Sequence, residues 1–560
     1  MLTKQCIQCS KTFKITDTDL VFYEKIDVPE PTQCPKCRLI RRLLERNARV
    51  LYKRKCDFSG KIIISQFHEK QPFPVYDQNI WWSDKWEALD YGREIDWTRL
   101  FFKQFQELSN VVPHMSVFII GGTLENSDYT NCTGYLKDCY LVSEADYNEN
   151  CYYSNRFYHS KDLVDCSEGY QNELCYECID CSNCYQTFYS QESKYCLNSY
   201  FLYNCQDCKD CIGCINQRHK QYLIFNKQYS QIEYERLKQE FKLDVRTGIE
   251  QLRVKSQQFF VTQIYKHLQV EKNVSSFGDH LYQSNNAQFC FDGSKLENCK
   301  YCTKILEAKD CMDHTSWGIQ AELTYQCAAC GDHINNMKFC STCTTNLTNC
   351  EYCYSCVKSS DLFGCVGLTN KQYCILNKQY AKEDYFILKE KLIQHMKKTG
   401  EYGEFFPLDS CPFAYNETIA MDYFPLTKSE ALQQGYHWYE EEKNILPQTY
   451  KLADSIAAVN NDILDNVLVC TTCGKNYKII KQEFDFYKKL NIPVPNKCYT
   501  CRHLARIKLR NPIELWRRQC MCTQPMHQHQ GRCTVEFETN FAPDRKEIVY
   551  CEQCYNKEIY

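Results

Sequence analysis

The chain has 560 residues, 41 of them cysteine, and a formal net charge of −3. That length allows three or four domains of ordinary size. No apolar run is long enough to cross a bilayer, the best being Val117-Phe118-Ile119-Ile120, which excludes a helical membrane protein. A pI near 6.5 excludes a bulk polyanion binder. The opening Met1-Leu2-Thr3-Lys4-Gln5-Cys6 has no apolar signal core. The expected compartment is therefore a reducing cytoplasm, where thiols bind metal or pack as small apolar groups. The odd cysteine count also argues against complete disulfide pairing.

The N-terminal segment reads Cys6-x2-Cys9, then 24 residues, then Cys34-x2-Cys37-Arg38. Four soft, deprotonated ligands at this spacing are what tetrahedral Zn²⁺ requires. Thr12-Phe13-Lys14-Ile15 reads as a short strand. A ribbon this small has little core, so its metal supplies much of the folding energy. A basic helix is expected after the second knuckle. Arg38, Arg42, Arg46, Arg49 and Lys53 fall on one stripe, and Leu39, Ile40, Leu43, Leu44, Val50 and Leu51 fall on the other. Residues 1–56 carry a formal +7, residues 470–560 another +7, and residues 57–469 therefore −17. Basic ends on an acidic body place any nucleic-acid contact at the ends. The alternatives are a solvated helix face, or arginines that pair with the acidic middle of the same chain. The stretch Trp81-Trp82-Ser83-Asp84-Lys85-Trp86 either stacks bases or sugars or packs the ribbon onto the middle.

The middle is written twice, roughly 136–241 and 286–392. Glu149-Asn150-Cys151 matches Glu297-Asn298-Cys299, and Asp162 and Asp165 match Asp310 and Asp313. Tyr176, Cys178 and Cys181 match Tyr325, Cys327 and Cys330. Gly213-Cys214 matches Gly364-Cys365. Asn/Asp-Cys elements recur at spacings of 9, 12 and 15 residues, and pairs of them suggest a β-solenoid coil of about 21 residues. Each copy should end in a helix, Ser230 to Phe241 and Ala381 to Lys398. The runs Cys175-x2-Cys178-x2-Cys181-x2-Cys184 and Cys205-x2-Cys208-x2-Cys211-x2-Cys214 leave three readings open: a structural cysteine ladder with a three-residue rung, extra zinc, or an iron–sulfur cluster. Asp162, Asp165, Asp310 and Asp313, with Glu173 and Glu322, either form an acidic site or serve rung hydrogen bonding. Phe405-Phe406-Pro407 through Phe424-Pro425-Leu426 reads as a linker before the C-terminal ribbon, the counterpart of the tryptophan stretch.

The C-terminal segment repeats the N-terminal one at an offset of 464 residues: Cys470, Cys473, Cys498 and Cys501 stand where Cys6, Cys9, Cys34 and Cys37 do. Arg506, Arg510 and Arg518 likewise match Arg42, Arg46 and Arg54. Asn476-Tyr477-Lys478-Ile479 is the matching strand. A second site follows, expected from Cys522, Cys533, Cys551 and Cys554, with Cys520 as the fifth thiol and His527 or His529 as substitutes. Only Cys56 survives from this set near the N-terminus, so no second metal is expected there.

The expected fold is mainly β with short helices: terminal zinc ribbons flanking a duplicated Cys/Asn/Tyr-rich β-solenoid-like middle. The expected boundaries are a ribbon and basic helix over 1–60, an aromatic linker over 61–125, the first copy over 126–245, the second over 246–400, a linker over 401–465, and a double ribbon over 466–560. No phosphate loop, dinucleotide fingerprint, nucleophile elbow or His-Glu-x2-His helix is present, and no small-molecule substrate is identified.

Cys470-x2-Cys473-Gly474-Lys475 with Phe486-Tyr487 and Cys498-x2-Cys501-Arg502 resembles the small bacterial "probable zinc-binding" ribbon. The Cys533 to Cys554 part resembles the knuckle domain found beside it. The architecture is similar to that of multi-zinc-ribbon proteins of ultra-small candidate-phyla bacteria. That resemblance implies zinc, a cytoplasmic location, and association with nucleic acid or the ribosome. The resulting expectation is a non-enzymatic scaffold holding about three zinc ions. It would contact RNA, DNA or a ribonucleoprotein through phosphate contacts from Arg38, Arg42, Arg46, Arg506, Arg510 and Arg518. The alternatives are a scaffold for protein partners, with basic ends docked on the acidic middle or a partner, and an iron–sulfur or redox protein using the middle cysteines.

Overall fold

Every third residue from Cys132 to Tyr222 has a positive φ, between 48° and 66°. Asn and Asp tolerate that conformation, but Tyr, Glu, Gln, Leu and Phe adopt it here too, at a cost of about 1 kcal/mol or more each. The residue after each of them points into a shared interior. Cys139, Val142, Ala145, Cys151, Leu163, Cys175, Cys178, Cys181, Cys184 and Cys196 all belong to it. The Cys-x2-Cys-x2-Cys runs are therefore successive inward positions. Their thiols donate hydrogen bonds to carbonyls two residues back and nine ahead: Cys175 Sγ to Glu173 O (3.3 Å) and Cys184 O (3.6 Å), and Cys178 Sγ to Tyr176 O (3.7 Å) and Thr187 O (3.1 Å). A cysteine fits because it is small, apolar and still able to satisfy a buried carbonyl.

The computed structural model describes residues 1–440, 446–527 and 529–560; residues 441–445 of the expected linker lie outside them. The first copy forms a 12-stranded, mostly parallel sheet running from Leu124–Glu125 to Lys227–Gln228. Its register advances by 12 residues per strand: Lys161 faces Glu173, Glu173 faces Tyr185, Tyr185 faces Leu197, Leu197 faces Lys209, and Lys209 faces Gln221. The period of about 21 expected from the cysteine spacings is thus replaced by 12. Spacings of 9 and 15 are three and five inward positions, and none of them measures a full step.

The second copy forms an 11-stranded sheet from Val270–Glu271 to Lys378–Gln379. Its step is 12 at Phe291–Thr303 and again at Glu351–Phe363. In between it is 13, at Met312–Tyr325, Tyr325–Lys338 and Lys338–Glu351. Three sites there carry consecutive positive-φ residues: the run Ser316 to Gln320, the pair Asp332 and His333, and the pair Thr345 and Asn346. Each absorbs one inserted residue without turning the following side chains outward. The offset between the copies accordingly grows from 148 at Cys151/Cys299 to 151 at Cys214/Cys365.

Both sheets stop the same way. A last strand folds back antiparallel, Leu223 against Gln228 and Cys374 against Gln379, and a helix follows. These helices are Gln231–Glu240, capped by Ser230 and Glu233, and Lys382–Thr399, ended by Gly400 at φ 75°. Tyr234 and Tyr385 are fully buried beneath them. The last parallel strand is thereby paired on its open side and packed under a helix.

The chain divides into two compact units, residues 1–117 with 268–439, and residues 118–267 with 440–560. The first unit joins the N-terminal ribbon to the second copy; the second joins the first copy to the C-terminal ribbon. The segment 401–439, expected to lead into the C-terminal ribbon, instead belongs to the first unit, where Phe405 and Phe406 are buried. Helix Arg246–Phe260, expected to open the second copy, belongs with the first. Among the described residues no helix is long and apolar enough to cross a membrane.

Cys178→Ala should cost about 1–2 kcal/mol in urea unfolding while leaving the metal content per chain unchanged by elemental mass spectrometry.

Candidate metal centres and their arginine clamps

Each ribbon begins with a hairpin whose turn is the first knuckle. Leu2–Gln5 pairs with Thr12–Ile15 around Cys6 and Cys9, and Leu468–Val469 pairs with Asn476–Tyr477 around Cys470 and Cys473. The second strand of the C-terminal ribbon is shorter than expected, ending at Tyr477. A helix follows in each, Asp17–Lys25 and Lys481–Leu490. The first is held by a capping box between Thr16 and Asp19. The second knuckle then starts the next helix. Cys34 caps Pro35–Leu44, and Cys498 caps Tyr499–Ile507. A thiolate at a helix N-terminus faces the positive end of the helix dipole.

The four sulfurs converge in both ribbons. Cys6, Cys9, Cys34 and Cys37 form one group with all ligand atoms within 4.8 Å, and Cys470, Cys473, Cys498 and Cys501 form another. The Cys9–Cys34 sulfurs are 3.8 Å apart and the Cys473–Cys498 sulfurs 3.7 Å. A regular tetrahedron with metal–sulfur bonds of about 2.3 Å has edges of about 3.8 Å. The donor sets therefore fit a tetrahedral metal ion. Hydrogen bonding from the Cys37 thiol holds Cys34 down to about 5 against the opposing effect of burial. Burial raises Cys470, but the backbone amides of Cys498, Cys473 and Thr472 outweigh it and hold the thiol at about 6. Each ribbon thus keeps one sulfur ready to bind as thiolate near neutral pH.

The third group is Cys520, Cys533, Cys551 and Cys554. Cys520 takes the place expected for Cys522. It follows the strand Trp516–Gln519, and its sulfur accepts the Cys551 amide at 3.2 Å. Cys522 instead groups with His527, His529 and Cys554. Near the N-terminus the matching hairpin, Tyr52–Lys55 with Ile62–Ser65, has Cys56 alone. There Ile63, Phe67, Phe73, Val75 and Phe413 pack with it in one apolar cluster. Apolar burial does in that hairpin what a metal ion can do in its C-terminal counterpart.

The helix after each second knuckle lies against a sheet. Asp313 is fully buried and receives two arginines. Arg38 Nη2 is 2.8 Å and Nε 2.9 Å from its Oδ2, and Arg42 Nη1 is 2.9 Å from its Oδ1. Arg38 also donates to Gln33 O, and Arg42 to Thr315 Oγ1 and Tyr301 O. The second unit repeats the arrangement. Arg502 Nε and Arg506 Nη1 each lie 2.7 Å from the buried Asp165, Arg502 donates to Lys497 O, and Arg506 to Tyr153 O. Burial pulls the Arg38 guanidinium down, and Asp313 more than restores it; at Arg42 burial prevails.

The arginines from which phosphate contacts are expected make contacts within the chain. Arg38, Arg42 and Arg506 are buried against carboxylates. Arg510 pairs with Asp180 at 2.9 Å and with Glu168 at 3.8 Å. Arg518 donates to Phe541 O and Ala542 O, and Arg46 is half-buried. The physical reason is desolvation: once the apolar stripe docks, the adjacent arginines go under with it and need a carboxylate there. Asp165 and Asp313 are thus clamp residues. Their ion-pair partners among the described residues are the arginines Arg38, Arg42, Arg502 and Arg506, and neither glutamate, Glu173 or Glu322, joins them as a co-ligand. Trp81 is buried, its Nε1 donating to Pro113 O, and Trp86 Nε1 donates to Trp81 O; both serve packing.

Flanking charges distinguish the two docks. Lys300 of the second copy meets Asp19 of the N-terminal ribbon at 2.6 Å; the first copy has Tyr152 at the matching position. Asp180 and Glu168, which hold Arg510, are replaced in the second copy by Ala329 and Ser316. The difference lies in the copies, since the ribbons themselves match at these positions, Arg46 with Arg510 and Asp19 with Glu483. The clamp itself, repeated in both copies, could be anticipated from the matching Asp165 and Asp313; the choice of partner could not.

No family model matches the chain, and no curated protein matches it. One solved structure, described as "putative acetyltransferase from Desulfovibrio desulfuricans G20", aligns at 9% identity with a TM-score of 0.11. The alignment covers 40% of this chain and 65% of that one. A likeness at that score carries no argument.

Asp313→Asn should destabilise the protein by about 3–5 kcal/mol, because two buried guanidinium charges lose their carboxylate; a smaller shift in the urea midpoint would show that the clamp is wet. Glu45, at the end of helix Pro35–Leu44, is pushed up to about 7 by burial despite Arg41. The folded state then binds its proton more tightly than the unfolded state, and stability falls as pH rises from about 4.5 to about 7. Glu45→Gln should therefore raise thermal stability at pH 8 by up to about 3 kcal/mol, with the gain shrinking toward pH 5.

Proposed function

We propose that this protein is a non-enzymatic, zinc-dependent scaffold in which metal ribbons lock onto two β-solenoids. The observation that carries the reading is the repeated clamp, two buried arginines from a cysteine-ribbon helix on one buried aspartate of a parallel sheet, in each unit. Zinc suits the donor sets because four thiolates at a tetrahedral edge favour a soft ion without redox or geometric demands. The metal fixes each ribbon, and the ribbon presents its arginine helix. The 12-residue step, the three-residue rhythm and the enclosed thiols support winding of each sheet into a solenoid. Such a body offers long, rigid faces to a protein partner. The ribbon arginines serve the docks, which favours the scaffold reading over nucleic-acid contact through those residues.

Removing zinc with a strong chelator should release the ribbons first. Hydrogen exchange should speed up in Pro35–Leu44 and Tyr499–Ile507 before it does in the strands Glu173–Tyr176 and Ser360–Phe363. Retained protection of both helices after complete metal loss would contradict the reading. Salt-steep binding of the intact protein to RNA or DNA would restore the nucleic-acid alternative.

A further inference from the structure

Two metal-competent groups in the C-terminal ribbon share one sulfur. Cys520, Cys533, Cys551 and Cys554 form the first, and Cys522, His527, His529 and Cys554 the second. From this geometry we infer a two-metal centre in which the Cys554 thiolate bridges one ion held by four cysteines and a second held by two cysteines and two histidines.

Both imidazoles are set up to ligate. His529 Nδ1 is 3.0 Å from Gly531 O, a group that can only accept, so the ring proton sits on Nδ1. That leaves the lone pair of Nε2, which lies 3.6 Å from Cys554 Sγ. His527 has the opposite arrangement. Its Nε2 faces the Glu558 carboxylate at 3.5 Å, and its Nδ1 lies 3.2 Å from Cys522 Sγ. An acceptor behind a histidine, with the other nitrogen turned to sulfur, is the supporting shell that metal-bound histidines use. With Zn–S near 2.3 Å and Zn–N near 2.05 Å, a tetrahedral sulfur–nitrogen edge is about 3.6 Å, which the 3.6 Å at His529 matches and the 3.2 Å at His527 falls short of.

Chain geometry explains the pairing. Cys520 and Cys522 are two residues apart just past the strand Trp516–Gln519, and both are fully buried. Cys554 lies in the first turn of helix Glu552–Ile559, which Cys551 caps, and is within reach of both groups. The charge balance also favours two ions. Four thiolates around one Zn²⁺ leave two negative charges in a buried site. Adding Cys522, two neutral histidines and a second Zn²⁺ leaves only one.

The proposal rests on the zinc reading above, and the experiment separates the two. Native mass spectrometry of the full chain purified with zinc should show four ions, one for each metal-competent group of cysteines in the ribbons. His527→Ala/His529→Ala should show three. Two ions, unchanged in Cys520→Ser, would mean that this ribbon binds no metal at all. Three ions, unchanged in the histidine double variant, would overturn the second ion alone. Where the variant does not fold, cobalt substitution of the unaltered protein decides. A shared thiolate couples two high-spin Co(II) ions, so only about half of the bound cobalt should be visible by electron paramagnetic resonance. Full visibility of four ions would overturn the bridge.

Discussion

Each ribbon is held to its sheet by two guanidinium groups that share one buried carboxylate. Desolvating three charges together is costly, and the pairing offsets that cost only when every donor has an acceptor. Here each of the four arginines also donates to one backbone carbonyl, and Arg502 meets Glu483 as well, while Arg506 Nε is left without an acceptor among the described residues. The clamp therefore works as a geometric test. It closes only if the second knuckle starts its helix at the right place, which ties docking to the fold of the ribbon and to the metal ion that its four cysteines suit.

The sheets impose a different constraint. A three-residue rhythm leaves one inward side chain per triplet, most often a small one such as Cys, Ser or Ala, with Phe157, Ile305 and Met337 among the larger ones. Cysteine meets both demands of that interior, small apolar volume and a donor for a carbonyl that would otherwise be buried without a partner. The left-handed residue in each triplet is strained, and parallel pairing with the strand before and after holds it in place. Where the second copy takes an extra residue, consecutive positive-φ residues absorb it and the interior column continues.

Cysteine thus plays two parts in one chain. In the sheets a thiol is a packed donor to backbone carbonyls, as at Cys175 and Cys178. In the ribbons the same residue sits at a helix N-terminus or a hairpin knuckle, where amides and neighbouring thiols favour the thiolate, as at Cys34 and Cys470. The apolar cluster around Cys56 shows a third outcome: a hairpin of the same plan with an aromatic core in place of ligands.

By itself the sequence determined the ribbons, the duplication, the terminal helices and the four-cysteine groups at Cys6 to Cys37 and Cys470 to Cys501, because knuckle spacing and repeat alignment are local properties. It also held the three-residue cysteine rhythm, but the 12-residue step was hidden, since spacings of 9, 12 and 15 are all multiples of three. Tertiary structure decided the rest. It chose Cys520 over Cys522, because the hairpin partner, and not the spacing, aims those sulfurs. It paired the N-terminal ribbon with the second copy and the C-terminal ribbon with the first, and there Lys300 meets Asp19 and Asp180 meets Arg510. It also buried the arginines that a charge count places in solvent, because a helix whose apolar stripe docks carries its flanking charges under, and only the fold can supply the carboxylate they need.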